Sequence, residues 1–392
     1  MQKKNTRREF LEISAKIGIA VPIMGSMLWA CKSGEESKNE STETKRKKLK
    51  ILILGGTSFL GPHQVAYAIG RGHEITTFTR GKTKPTVHQE LFDQVTSLVG
   101  DRENDLSALE TGEWDVVIDN SGRSEKWTRD TAELLKDRVG MYMYTSSTGV
   151  YYPYLTPDAD ENFEVVMENP DDPENQDRTS FYWYGVMKAN SERIATETFG
   201  AERTINVRPT YMFGPADKTN RFIHWPLRLA KGGEVLVPGK PNDPVQYVDV
   251  RDVAEFMIRL AEDQKAGTYN AVGPKEAQNM YSFVEEASTA FDVEHTFVKI
   301  DDYDFLKEQN VYFIVPWIMP TDEYLASALI SNKKAIDAGL TFRSLKDTVK
   351  DTFVWWYSDG LTDEQRESFE ENPNASINVE QKVLEAWKEV SK

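Results

Sequence analysis

Residues 51–61, Ile-Leu-Ile-Leu-Gly-Gly-Thr-Ser-Phe-Leu-Gly, constrain what this chain can fold into more than any other stretch. Ile51 to Leu54 read as a strand buried on both faces, and they run directly into a glycine-rich turn. Pro62 then opens a helical pattern that puts Val65, Ala66, Ala68 and Ile69 on one side. A strand, a glycine turn and a helix N-terminus in that order form a cradle for a pyrophosphate. Backbone N–H groups and the helix dipole point at the anion, and glycines keep side chains out of its way. Gly55, Thr57, Ser58, Phe59, Leu60 and Gly61 are the residues expected to line it. A glycine pattern alone is a weak signal; between a strand and a helix it is far more specific.

Strand and helix patterns alternate from residue 49 onward. Glu74–Phe78, Val95–Val99, Val116–Asp119, Met141–Thr145 and Thr204–Arg208 read as short buried strands. Asp130–Arg138 and Tyr184–Phe199 read as helices between them. This alternation implies an α/β fold, a doubly wound parallel sheet of Rossmann type, with ligands at the carboxyl ends of the strands. Pro157–Asp177, with nine acidic residues and three prolines, reads as a solvated acidic loop without the spaced oxygen ligands of a calcium loop. Tyr211–Val245 and the stretch after Pro274 are less regular and rich in aromatics. Leu345, Val349, Phe353 and Trp356 fall at helical spacing, which points to core packing. We therefore expect a dinucleotide-binding domain over residues 49–274 and a smaller C-terminal substrate lobe over 275–392, to which 211–245 contribute.

The formal net charge of −16 opposes nucleic acid as a partner, because affinity there comes mostly from cations neutralising phosphates. The five histidines show no metal-ligand spacing, so no metal is expected. Lys3, Lys4, Arg7 and Arg8 precede an apolar stretch, Ile17–Ala30, too short for a comfortable membrane span and interrupted by Pro22. Residues 1–31 therefore read as a signal peptide. Thr6-Arg7-Arg8-Glu9-Phe10-Leu11 resembles the twin-arginine export motif, whose substrates cross the membrane already folded. Leu28-Trp29-Ala30-Cys31 resembles a lipobox, with Cys31, the only cysteine, as the lipid-bearing residue. Residues 32–48, mostly Ser, Glu, Lys and Thr, read as a disordered tether. On this reading the partners are the twin-arginine export machinery and, through the lipid anchor, a membrane of the cell envelope.

Thr145-Ser146-Ser147-Thr148-Gly149-Val150-Tyr151 follows an expected strand, and Tyr184-Gly185-Val186-Met187-Lys188 opens an expected helix. Four-residue spacing puts Tyr184 and Lys188 on one helix face. A phenol is a poor base at neutral pH, and a neighbouring ammonium favours its phenolate form. Tyr184 is thus suited to move a proton at a substrate oxygen, while Ser147 donates a hydrogen bond to the same atom. A Tyr-x-x-x-Lys pair by itself is weak, and a tyrosine packing on a lysine stem is its plain alternative. The order along the chain, after the serine and before the next strand, gives it weight.

On these motifs the chain resembles an extended short-chain dehydrogenase/reductase, of the group of NAD-dependent epimerases and dehydratases. The likeness spans about Leu49 to Pro274 and includes Gly100-Asp101, Glu192, Arg208-Pro209, Gly214-Pro215 and Gln246–Ala254. The resemblance implies that Asp101 contacts the adenine, Lys188 the ribose hydroxyls, and the segment after Arg208 the nicotinamide.

Four departures refine it. Ser58 replaces the middle glycine of the family loop. Arg80 and Lys82 stand where an NAD-selective member carries an acid, which suits a 2′-phosphate and favours NADP over NAD. Thr148 and Gly149 replace the Asp-Glu pair with which sugar-nucleotide dehydratases remove water. Val245 replaces an arginine usual in enzymes of nucleotide-diphospho-sugars, and Arg221 is either a substitute phosphate contact or a surface charge.

The expected function is that of an NAD(P)-dependent oxidoreductase or epimerase acting on a hydroxyl or carbonyl carbon of a sugar-like small molecule. Tyr152, Trp183 and Trp225 are either sugar-stacking or core aromatics. The alternative is a non-catalytic, lipid-anchored binding protein on the same fold. The loop and Thr79-Arg80-Gly81-Lys82 also resemble the chloroplast stem-loop RNA-binding branch of the superfamily, which the acidic charge and the export signal oppose. A homodimer is open on this sequence.

Overall fold

Residues 51–54 are all apolar because helices cover both faces of the strand they form. The computed structural model describes residues 47–120, 122–167 and 181–391. The twin-arginine pair, Cys31 and the tether as far as residue 46 lie outside the described residues, as does the acidic segment from residue 168. The first half of the chain runs β1 (Lys50–Leu54), α1 (Leu60–Gly70), β2 (Glu74–Thr79), β3 (Thr96–Val99), β4 (Trp114–Asp119), α2 (Glu125–Leu135), β5 (Val139–Thr145), α3 (Phe181–Phe199) and β6 (Thr204–Pro209). All five strands expected after β1 are found, with ends shifted by one or two residues.

The second half runs β7 (Met212–Phe213), α4 (His224–Lys231), β8 (Gly233–Pro238), β9 (Pro244–Asp249), α5 (Val250–Glu262), β10 (Gly267–Ala271), β11 (Gly273–Asn279), α6 (Met280–Ser288) and β12 (His295–Ile300). It continues with α7 (Tyr303–Glu308), β13 (Phe313–Ile314), β14 (Trp317–Ile318), α8 (Lys333–Asp337), α9 (Leu345–Trp356), α10 (Asp363–Glu370) and α11 (Ser376–Val390).

Seven strands form one sheet in the order β10-β6-β5-β4-β1-β2-β3, and every neighbouring pair is parallel. Ile51, Ile53, Val116, Ile118 and Met143 point to the layer of α1 and α5, where Val65, Val253 and Phe256 meet them. Leu52, Leu54, Val117, Tyr142 and Tyr144 point to the other layer, with Ala132 of α2 and Phe199 of α3. The period of two along each strand thus feeds two cores. The strand order reverses between β1 and β4, and in doubly wound sheets the carboxyl edge at such a switch point is where ligands bind.

A second body of structure packs beside that edge. It holds a parallel pair, β8 and β12, and a three-stranded sheet, β11-β9-β7. Its core contains Trp225, Phe283, Trp317, Phe353 and Trp356, all essentially inaccessible. Trp225 is fully buried and donates its indole N–H to the Val315 carbonyl (2.8 Å), so it is a core residue and faces no ligand. The chain then returns to the large sheet, where Ala335 and Leu340 join the α1/α5 core. Among the described residues no helix is long and apolar enough to cross a membrane.

Candidate active site

The loop after β1 is shaped by close approach. Gly55 adopts φ +84° and donates to the Phe78 carbonyl of β2 (3.0 Å). A Cβ on Gly56 would fall 2.4 Å from Thr77 Cγ2, and one on Gly61 2.5 Å from the Gly56 carbonyl carbon. Real Cβ atoms do not come so close, so positions 56 and 61 call for glycine here. Phe59, at the N-cap of α1, takes φ +46°, and no side chain caps the helix. The first turn contains no acid either, so its amide groups keep their partial positive charge. Ser58 is exposed on the rim of the turn. A clash-free, uncapped helix start of this shape fits the diphosphate of a dinucleotide.

Two further expected contacts stand on the same edge. Arg80 follows β2 directly and is exposed, with no side-chain hydrogen bond or ion pair among the described residues. The Thr79 hydroxyl accepts from Gly81 N–H (3.2 Å) and fixes the bend that places it. Asp101 follows β3 and Gly100, and one of its carboxylate oxygens accepts from Glu103 N–H (3.0 Å).

Ser147, Tyr184 and Lys188 come together at the carboxyl end of β5. Ser147 caps a short 3₁₀ turn, Thr148–Tyr151, by accepting from Gly149 N–H (3.0 Å). Helix α3 presses on that turn at two glycines: a Cβ on Gly185 would lie 2.4 Å from the Gly149 carbonyl oxygen. A Cβ on Gly149 would lie 3.1 Å from the Tyr184 ring and 3.3 Å from Ser147 Oγ. The two hydroxyl-bearing side chains therefore share one small patch of backbone, and Tyr184 remains 42% exposed, open to solvent.

Lys188, one turn further along α3, is buried. Its ammonium donates to the carbonyls of Thr145 (2.9 Å) and Gly122 (3.2 Å) and lies 5.9 Å from the Tyr184 ring centre. Burial opposes its charge, but the Tyr144 and Tyr184 phenols outweigh burial and hold its pKa above the usual lysine value. It therefore stays cationic beside the tyrosine at neutral pH. Glu192, one turn on again, binds Arg208 of β6 twice (2.9 and 2.6 Å), and Arg208 also donates to the Tyr151 hydroxyl (2.7 Å). That buried pair locks α3 to the sheet, and so fixes where Tyr184 and Lys188 point.

Three features escaped the sequence reading. Beneath the site, Arg102 pairs with the fully buried Asp119 (2.8 and 3.0 Å), which also accepts from the Tyr142 hydroxyl (2.6 Å). Burial would raise Asp119, but Arg102 beside it holds its carboxyl below the usual range. His63, at the start of α1, reaches the Pro215 carbonyl (3.0 Å). That oxygen can only accept, so Nε2 carries the proton and Nδ1 faces His88 (3.3 Å). Finally, Tyr152 and Tyr154 pack with Tyr324 in edge-on and tilted contacts, an aromatic wall beside Tyr184 (ring centres 6.0–6.4 Å). Its partner segment lies some 170 residues downstream, held by Tyr154 N–H to Glu323 O (2.9 Å) and Ala326 N–H to Tyr154 O (2.7 Å). No local pattern announces such a pairing.

A doubly wound sheet with a glycine cradle and a Ser/Tyr/Lys group at one edge defines a dinucleotide-binding protein of short-chain dehydrogenase/reductase type. Residues 51–272 match the model of the NAD dependent epimerase/dehydratase family, and the chain belongs to that family. A curated relative, the chloroplast stem-loop binding protein of 41 kDa b of Arabidopsis thaliana, is 29% identical over 247 residues, which are 58% of this chain and 59% of that protein. Among solved structures, UDP-N-acetylglucosamine 4-epimerase from Bacillus cereus superposes with a TM-score of 0.56 at 16% identity, covering 78% of this chain and 99% of its own. The Bordetella bronchiseptica enzyme WbmH in complex with NAD+ gives 0.55 at 16% identity, covering 79% and 99%.

Proposed function

We propose that this chain is an NAD(P)-dependent oxidoreductase or epimerase acting on a hydroxyl or carbonyl carbon of a sugar-like substrate. The observation that carries this reading is the half-exposed Tyr184, packed on Gly149 beside Ser147 Oγ and followed one turn later by the buried Lys188. The loop of residues 55–61 would hold the diphosphate, and Arg80 would meet a 2′-phosphate, which favours NADP. Asp101 would meet the adenine end. The nicotinamide, when bound, supplies the hydride acceptor. Tyr184 takes the substrate hydroxyl proton as the adjoining C–H bond gives up its hydride, and returns it in the reverse step. Ser147 donates to the same oxygen, and Lys188 keeps the tyrosine charged when its proton leaves. Thr148 and Gly149 beside Ser147 carry no acid or base for removing water, which disfavours dehydration.

A second reading has its own support. The relative from Arabidopsis thaliana is named a stem-loop binding protein, so a member of this superfamily with a binding role is a real precedent. A screen of sugars and ketones followed at the reduced-nicotinamide absorbance band separates the readings. Growth of the band supports catalysis; ligand binding without it supports a non-catalytic binder.

Export would add a constraint on the cofactor. If Arg7-Arg8 and Cys31 act as an export and lipidation signal, the chain folds in the cytoplasm and carries its nucleotide out. Lys47 and the Lys50 amide bind Asp115 at the amino edge of the sheet (2.8 Å each), opposite the cradle. Mass spectrometry of envelope-purified, denatured protein would then find one nicotinamide nucleotide per chain. A protein without nucleotide that also binds it weakly would contradict retention.

A further inference from the structure

The groups around Tyr184 narrow the substrate class. Tyr154 is closely packed, and the Tyr211, Tyr184, Tyr324 and Tyr152 phenols all act on it electrostatically. Tyr211 follows β6, the strand next to β5, where Ser146 N–H binds the Val207 carbonyl (2.7 Å). It therefore emerges at the same edge as Ser147. Among the described residues the hydroxyls of Tyr154, Tyr184 and Tyr211 have no hydrogen-bond partner, so three phenols close enough to influence one another keep donor and acceptor capacity unused. Phenol rings also offer flat faces to the C–H side of a sugar ring.

Arg221 is the cation set over one of these phenols. Its guanidinium lies 5.7 Å from the Tyr211 ring centre. It has no ion-pair partner among the described residues. The nearest acid in sequence, Asp217, is buried and turned to Thr219 N–H (2.8 Å) and hydroxyl (2.7 Å). Strand β9 brings no cation, since Val245 is sealed in the lobe core. One guanidinium matches one carboxylate or phosphate monoester in a two-pronged contact.

We propose that the substrate is a free polyhydroxylated ring bearing one anionic group, its hydroxyls met by Tyr154, Tyr184 and Tyr211 and its anion by Arg221. This rests on the oxidoreductase reading for the role of Tyr184, but its binding test does not depend on turnover.

Calorimetry on the protein loaded with reduced nicotinamide nucleotide, which cannot accept hydride from an alcohol, gives that test. The probes are methyl glucuronoside, methyl glucoside 6-phosphate, methyl glucoside and UDP-glucuronate. At least one of the two singly anionic glycosides should bind about tenfold or more tighter than methyl glucoside. Which of them does so distinguishes a carboxylate from a phosphate. Arg221→Gln should remove that advantage and Arg221→Lys should keep part of it, with unchanged circular dichroism and melting. Tyr211→Phe should weaken every glycoside. The proposal fails if UDP-glucuronate binds tighter than both singly anionic glycosides, if charged and neutral glycosides bind alike or not at all, or if Arg221→Gln binds them as the parent does. Binding as expected, with no reduced nicotinamide formed from the oxidised holoprotein, would overturn the oxidoreductase reading alone.

Discussion

The ring of Tyr184 rests on the α-carbon of Gly149, with only 3.1 Å between the ring and the position a Cβ would occupy. A methyl group there must push the phenol away from Ser147 or open the contact between α3 and the 3₁₀ turn. Gly149→Ala is therefore expected to lower kcat by about tenfold to a hundredfold, because small misplacements of a catalytic group are costly. The affinity for nucleotide should change by less than about twofold, since the cradle lies on another strand. Stopped-flow turnover and fluorescence titration of the same preparation check both.

Arg80 carries the cofactor preference. Arg80→Asp removes the cation offered to a 2′-phosphate and installs an acceptor for a ribose 2′-hydroxyl. The ratio of the NAD to NADP dissociation constants should shift toward NAD by at least about tenfold. An unchanged ratio would take Arg80 out of the cofactor site.

The Arg102–Asp119 pair yields a prediction about stability. Arg102→Met leaves a fully buried carboxylate without its partner, a loss of about 3–5 kcal/mol at neutral pH. Asp119 is held below its ordinary range, so its contribution is present above the unfolded-state carboxyl pKa and disappears as pH falls through the lower folded value. The deficit of the variant should therefore shrink on acidification, as the stranded carboxyl takes up a proton. Denaturant titrations across the acid range measure this directly.

His63 also loses stability on acidification, through a group that the fold keeps neutral. Burial is the main cause that lowers it to about 4 from 6.5. Between those values the unfolded chain binds a proton that the folded chain excludes, so stability falls as pH drops from 6.5 towards 4. The full effect is on the order of 3 kcal/mol. His63→Gln should flatten this part of the stability profile. His224, lowered to about 3 by burial and by Arg228 nearby, should leave a residual slope in that variant.

Much of this architecture was legible in the sequence because its cause is local. Ile51–Leu54 face two cores, and that requires an unbroken apolar run. Gly56 and Gly61 touch across a turn of a few residues, and that requires glycine. Tyr184 and Lys188 share a helix face through their spacing alone. Strand β10 was missed because Gly267-Thr-Tyr-Asn-Ala has no apolar run, although Tyr269 and Ala271 are buried against the sheet's neighbours. The Tyr154–Tyr324 wall and the Arg343 bonds to Asp249 and Asp252 (3.1 and 3.2 Å) join segments far apart in the chain. Such pairings depend on topology, which no window of sequence contains.

The role of Tyr184 is tested most directly by comparing the parent protein with Tyr184→Phe, both carrying the same measured amount of oxidised nicotinamide nucleotide. Each is mixed with a substrate found in the sugar screen, and absorbance at the reduced-nicotinamide band is followed through a single turnover. The account predicts a burst in the parent and a rate at least about a thousandfold lower in the variant, at equal nucleotide occupancy. A variant that reduces its nucleotide at the parent's rate would contradict it.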